Sequence, residues 1–193
     1  MKKDEKRQLL FKESLSLFSV HGYKKTTIED VADKLGMTKG NLYFYVKNKA
    51  DLYFQTIHWA LTQWQDYVKD KVNQKESAPD QFRAMAESAL AYIEANTTLQ
   101  QMLVKDPDIF TLDRDKDRFP QANQTARQII RDILEQGVAE NQFVVSDLNA
   151  TVQYLFSIYM MFLIQTYVFM DKKDFNRILN SAIELNLKGL MHP

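Results

Sequence analysis

Cysteine is absent from the 193 residues, and glycine and proline are scarce, at five and four. Without cysteine the chain can form neither a disulfide framework nor a thiolate metal site nor a thiol nucleophile, a composition compatible with a reducing cytoplasm. Histidine is equally thin. His21, His58 and His192 stand apart, with no carboxylate or nucleophile at a local catalytic spacing, and no glycine-rich phosphate loop exists. These absences speak against an enzyme and against a bound cofactor. Asp113, Asp115 and Asp117 imitate the opening of a calcium loop, but Arg118 replaces the glycine of its sixth position and Gln124 the glutamate of its twelfth. No metal site is therefore expected. The charged N-terminus, Lys2 to Arg7, runs into an amphipathic helix carrying Phe11, Leu15 and Phe18 on one face and not into an apolar leader, so a cytoplasmic location is expected. The longest uncharged run, Tyr154 to Met170, is slightly short for a bilayer and is interrupted by Ser157, Gln165 and Thr166, so it reads as a buried helix.

What is present is concentrated between Thr26 and Lys49. Ile28, Val31, Ala32 and Leu35 fall at i, i+3, i+4 and i+7, one apolar stripe of a short helix that Thr26 or Thr27 can cap and Gly36 ends. Thr38 can cap a second helix, which buries Leu42 and Val46 and leaves Lys39, Asn41, Tyr43 and Tyr45 for other faces; Phe44 is open to either reading. Two short helices about a tight turn, set with groups that bond phosphates and base edges, make a helix-turn-helix. The charge distribution agrees. Residues 1–49 hold eleven lysines and arginines against six acidic residues, net +5, while the rest holds fourteen against nineteen, net −5. A basic head on an acidic body suits a protein that brings one end to a polyanion.

Past Lys49 the periodicity is helical nearly throughout. The spacing predicts a long helix from about 50 to 74 with Ile57, Leu61, Trp64 and Val68 in its stripe, another carrying Phe82, Met85, Ala89 and Ile93, and a short one around Leu99 to Val104. An irregular acidic loop spans 105–119. Three further helices are expected: one with Ile129, Ile130, Ile133 and Gly137 on a face, one from about Leu148 to Met170, and a last carrying Phe175, Ile178, Leu179, Ala182 and Leu185.

In order and spacing, Phe18, Gly22-Tyr23, Thr26-Thr27, Val31-Ala32, Leu35-Gly36, Lys39-Gly40-Asn41-Leu42-Tyr43, Lys47-Asn48-Lys49 and Leu52 resemble the N-terminal DNA-binding domain of the TetR family of transcriptional regulators, over residues 10–52. Val46 departs from the more usual Phe, and Ala50 stands where an acidic residue often begins the next helix. The resemblance implies an all-α chain of about nine helices: a three-helix helix-turn-helix domain over 1–48, then a helical effector-binding and dimerisation domain over 49–193. It implies a homodimer formed through the last two long helices and bound to an inverted-repeat operator on double-stranded DNA. It also implies a repressor whose small effector moves the helix beginning at Lys49 like a lever.

Roles follow with that implication. Lys39 and Asn41 are placed to read guanine and adenine edges, and Thr38 to touch a thymine methyl or a phosphate. Tyr43, Tyr45, Lys47 and Lys49 are expected as phosphate anchors, with Thr27 and Lys24 or Lys25 on the other side. For the effector pocket the aromatic and methionine-rich set Trp59, Gln63, Tyr67, Tyr92, Met102, Phe110, Phe119, Asn123, Arg127, Tyr154, Phe156, Tyr159 and Met160 is the candidate wall, suited to an apolar or amphipathic molecule. Arg127 pointing inward would indicate an anionic one. The opposing reading is a DNA-binding regulator without a small effector, controlled by a protein partner.

Overall fold

The computed structural model describes residues 3–111, 113–168 and 172–191; Met170 and His192, named above, lie outside them. Among the described residues there are nine α-helices, two short 3-10 turns and no strand. The helices are α1 (Lys3–Lys25), α2 (Ile28–Lys34), α3 (Lys39–Leu42), α4 (Lys49–Asn73), α5 (Ala78–Ala95), α6 (Thr97–Lys105), α7 (Pro120–Ala139), α8 (Leu148–Val168) and α9 (Lys172–Leu190). The 3-10 turns, Pro107–Ile109 and Arg114–Lys116, occupy the acidic loop.

Local chemistry sets the boundaries. Near its end α1 is broken by Gly22, at φ 78° and ψ 165°, a conformation that only glycine adopts without strain. Thr27 caps α2 through a reciprocal box: its hydroxyl accepts from the Asp30 N–H at 3.1 Å, and the Asp30 carboxylate accepts from the Thr27 N–H at 2.7 Å. Thr26 is instead buried, donating to the Gly22 carbonyl at 2.9 Å. Gly36, at φ 60°, ends the segment after α2. Although Ala50 lacks an acid, Asp51 serves the entry to α4, accepting from the Lys47 N–H at 2.7 Å while its own N–H donates to the Asn48 side chain. Asp117, one of the three loop aspartates, accepts from the Phe119 N–H at 2.9 Å and the Asn123 amide at 2.9 Å, tying down the start of α7.

The chain divides into two compact units, Met1–Gln63 with Asn96–Asp106, and Trp64–Ala95 with Pro107–Pro193. In the first, Leu10, Phe11, Leu15 and Phe18 of α1 are buried with Val31, Leu42, Val46, Leu52 and Ile57. The short α6 also belongs to it, packed on α1. Lys105 donates to the Val20 carbonyl at 2.7 Å, and the Tyr53 hydroxyl of α4 donates to Asp106 at 2.5 Å. The three-helix motif thus draws the first turns of α4 and all of α6 into one core.

In the second unit Trp64 is the hub. Its indole N–H donates to the Ala89 carbonyl at 2.9 Å, and its ring meets Phe110 edge-on at 5.6 Å and lies nearly parallel to Tyr159 at 6.2 Å. A buried indole without that acceptor would cost a desolvated donor. Gly137 admits the Phe143 ring so closely that a Cβ there would lie 2.1 Å from it. No helix among the described residues is long and apolar enough to cross a membrane, and among them no group of metal-ligating side chains gathers.

Candidate functional site

The first region builds on α2 and α3. Ile28, Val31 and Ala32 face inward from α2, and Leu42 and Val46 from α3 and the turn after it, all buried as their spacing predicts. With those positions anchored, Thr38, Lys39, Asn41, Tyr43 and Phe44 are left outside, and Phe44 is 85% exposed. An apolar ring that open has no part in the core. Thr38 is the cap of α3, its oxygen accepting from the Asn41 N–H at 3.2 Å, so the hydroxyl is engaged while the Asn41 side chain stays exposed.

Lys39 is engaged as well. Its ammonium is paired with the Glu29 carboxylate of α2, which holds the Glu29 carboxyl below and the lysine above their ordinary ranges. Lys24, Lys25, Thr27 and Lys47 are exposed, and Tyr45 is half-buried. Lys49 is held more firmly than a free anchor: its ammonium sits 4.5 Å above the Tyr23 ring and donates to the Lys24 carbonyl at 3.2 Å. Tyr23 in turn meets Tyr53 edge-on at 5.1 Å, and Tyr53 meets Phe18 at 5.0 Å. A chain of rings therefore connects the Lys49 ammonium to the core of the first unit.

The second region lies between α5, α8 and α9. A cavity of about 50 Å³ is walled by Phe82, Met85, Leu155, Tyr159, Phe162 and Ile183 among others, with Asn186 the one amide among the described lining residues. A smaller cavity of about 10 Å³ shares Met85 and Tyr159 and is closed by Trp64, Ala126, Ile129 and Ile130. Tyr159 is half-buried and borders both spaces, and desolvation pushes its phenol well above the ordinary range.

The residues named as pocket candidates are distributed widely. Tyr159 stands at both cavities. Arg127 lines a separate polar cleft of about 250 Å³ between α7 and α8, its guanidinium 4.5 Å from the ring centroid of the buried Phe156. Met160, Phe110 and Phe119 are buried, Phe110 against Trp64. Tyr67 and Tyr92 face each other at 5.1 Å, Asn123 is tied to Asp117, and Tyr154 is exposed. Trp59, Gln63 and Met102 belong to the first compact unit. Most of the cavity wall, including Phe82, Met85 and Ile183, is aliphatic or aromatic at core spacing, which periodicity alone cannot separate from filled core.

Comparison with known proteins agrees with this arrangement. The model of the family described as bacterial regulatory proteins, tetR family, matches residues 10–56. The chain is 27% identical over 156 residues to the transcriptional repressor KstR2 of Mycolicibacterium smegmatis, covering 78% of this chain and 73% of that one. It is 38% identical over 47 residues, 24% of its length, to the probable acrEF/envCD operon repressor of Escherichia coli K12, covering 21% of that protein. In fold it is similar to the transcriptional regulator FadR from Bacillus subtilis, solved in complex with stearoyl-CoA, at a TM-score of 0.76 and 18% identity over 96% of this chain and 100% of that one. The ketosteroid regulator KstR2 of Mycobacterium tuberculosis superposes at 0.62, with 16% identity over 97% of this chain and 96% of that one. With its capped helix-turn-helix and the family match over residues 10–56, the N-terminal domain is that of the TetR family of transcriptional regulators, and the chain as a whole shares the all-helical fold of these solved regulators.

Proposed function

We propose that this protein is a homodimeric repressor that binds a pseudo-palindromic operator through α2 and α3 and is released by a small apolar or amphipathic effector taken up between α5, α8 and α9. The observation that carries the DNA-reading part is the exposed row on α3, set on a buried Leu42 and Val46 and steadied by the Thr27–Asp30 box. Lys39 and Asn41 are its readers. Tyr43, Tyr45, Lys47 and Lys49 take one side of the phosphate backbone, and Thr27, Lys24 and Lys25 the other. A four-residue α3 reads only a few base pairs, so a second copy at fixed separation is needed to define a site. Tyr154 and Met161 on α8, with Ile178 and Leu185 on α9, leave apolar surface exposed for that pairing.

The cavity supports the effector part. At about 50 Å³ it is far smaller than the several hundred Å³ of a typical ligand pocket. An effector must therefore force α5, α8 and α9 apart, and the state it binds differs from the state described here. Differential affinity for two states is what a switch requires. Leu179, Ile183 and Asn186 of α9 line the cavity, while Ile178 and Leu185 of the same helix are exposed, so an expanded cavity displaces the helix proposed to pair the subunits. FadR of Bacillus subtilis was solved with stearoyl-CoA, an amphipathic molecule of the class envisaged.

The test is selection of the purified protein against a random duplex pool at about 0.15 M salt, where non-specific phosphate binding is already weakened. An inverted repeat is the expected product, and its loss on adding amphipathic compounds identifies the effector class. Retention of DNA without any motif, vanishing as salt rises, would overturn the reading. A recovered repeat that no small molecule releases would favour control by a protein partner.

A further inference from the structure

The cleft between α7 and α8 differs from the apolar cavity in carrying two arginines and four amides beside the single apolar side chain of Val152 among its described lining residues. Gln124, Arg127, Gln128 and Arg131 fall at i, i+3, i+4 and i+7 of α7, one stripe of the helix, and face Asn149 and Gln153 of α8 across about 250 Å³. Two packed helices usually oppose apolar stripes, whereas here two cations and a set of amides share a cleft. The carboxylates near it are already engaged. Glu135 pairs with Arg131 at 3.6 Å, Asp132 accepts from Gln128 at 2.7 Å, and the second guanidinium nitrogen of Arg131 donates to Asn149 at 2.6 Å.

Arg127 is different. It is half-buried, its flat guanidinium rests 4.5 Å from the Phe156 ring centroid, and among the described residues it has a ring and no carboxylate for a partner. The ring contact holds the guanidinium in place but leaves its N–H groups unspent, and a partly desolvated cation without an acceptor is costly. A guanidinium fork lining an amide-rich cleft suits the paired oxygens of a phosphate or carboxylate. Phe156 lies three residues before Tyr159 on α8, so the stack stands about one helical turn from the phenol that borders the apolar cavities.

We infer that this cleft is an anion site, in which Arg127, supported by Arg131 and the neighbouring amides, holds a phosphate or carboxylate group. The group is either the acidic end of an amphipathic effector whose chain reaches toward Tyr159 or a separate small anion. The first source rests on the proposed sensor function; the second does not.

Calorimetric titration of the full chain with octyl phosphate, octanol and inorganic phosphate separates these cases, using wild type, Arg127→Gln and Arg131→Gln. Variants are compared only if they melt with the wild type, and Arg127→Lys serves as the charge-preserving control. The expected result is octyl phosphate binding about tenfold or more tighter than octanol, as charge-assisted hydrogen bonds to a fork provide, with Arg127→Gln abolishing that preference and sparing octanol. Arg131→Gln should weaken the preference in part, and Arg127→Lys should retain some of it. If inorganic phosphate binds as well as octyl phosphate and also depends on Arg127, the anion site stands and its occupant is a separate small anion, not the acidic end of an amphipathic effector. Equal binding of octyl phosphate and octanol, a preference that survives Arg127→Gln, or no binding of either phosphate at millimolar concentration overturns the inference.

Discussion

The ammonium of Lys39 on α3 is paired with the carboxylate of Glu29, ten residues earlier on α2. The lysine proposed to read a base edge is thus partnered within the protein before it meets DNA. Both side chains are about half exposed, so the pair is screened and readily exchanged for a DNA acceptor. Glu29 also sets an acidic group beside the reading face, where a duplex that offers no guanine edge gives the lysine little reason to leave.

Replacing Glu29 with Gln should therefore strengthen binding to random duplex by about two- to fivefold, the scale of one exposed ion pair, and narrow the gap between operator and random DNA. Anisotropy titrations at two salt concentrations check this; an unchanged affinity for random DNA would dismiss the competitive role of Glu29. Since the lysine is shifted upward and the carboxyl downward, the pair is present at neutral pH. It is lost only as acid passes through the lowered Glu29 range or as alkali passes through the raised lysine range.

Asn41→Ala should change base preference at one position of each half-site, at a cost of about 1–3 kcal/mol there, because a bidentate base contact is replaced by nothing. Lys47→Ala should instead weaken all sequences alike and flatten the dependence of affinity on salt. Parallel selections with both variants test the division. Two uniform losses would show that reader and anchor were wrongly separated.

Leu185 on α9 is 72% exposed and lies about two helical turns from the exposed Ile178, on the same face. Leu185→Arg should turn a dimer into monomers and abolish tight operator binding while leaving the helical content unchanged. Sedimentation reads the mass and circular dichroism the helix; a dimer that persists would place the subunit interface elsewhere.

Gly137→Ala should destabilise the second unit by about 1–3 kcal/mol, the usual cost of overpacking, despite the better helix propensity of alanine. The added methyl would meet the Phe143 ring at 2.1 Å, and the Gly137 carbonyl also accepts from Gln142 at 2.7 Å and Phe143 at 3.0 Å. Denaturant melts decide. A rise in stability would mean that Phe143 moves aside freely.

Hydrogen bonds from the Thr27 N–H and hydroxyl hold the Asp30 carboxyl below its ordinary range. A depressed acid contributes stability that is complete above its unfolded pKa and fades as pH falls through the folded one. Wild type should therefore exceed Asp30→Asn at about pH 6, and the two should converge in strong acid, below the ordinary range of aspartate. Acid titration of far-ultraviolet circular dichroism is the measurement. A gap that stays constant to low pH would assign the difference to shape and not to charge.

Much of the first unit was legible because its determinants are local. The i, i+3, i+4 spacing of Ile28, Val31 and Ala32 marked α2, a cap at Thr26 or Thr27 and the Gly36 stop bounded it, and the burial of Leu42 and Val46 followed from the same count, while the structure chose Thr27 as the cap. The nine-helix architecture was legible for the same reason, since apolar period and punctuation are written along the chain. Where α6 packs was not legible: nothing in Thr97–Lys105 names α1 as its neighbour, and Lys105 finds the Val20 carbonyl only through the fold.

The candidate effector wall marks the limit most clearly. Tyr159 was identifiable as a large amphipathic side chain, but Phe82, Met85 and Ile183 have the composition and spacing of filled core, and whether such residues meet or enclose a gap depends on how three helices diverge. Likewise the sequence by itself determined that Lys39 and Glu29 are charged, exposed and on neighbouring helices, because side-chain chemistry and helical period are properties of each segment. Only the tertiary structure decided that these two charges pair, that Arg127 lies on a ring without a carboxylate, and that Tyr159 borders a space. Those depend on the angles and separations between helices, which many side chains set together and no single segment encodes.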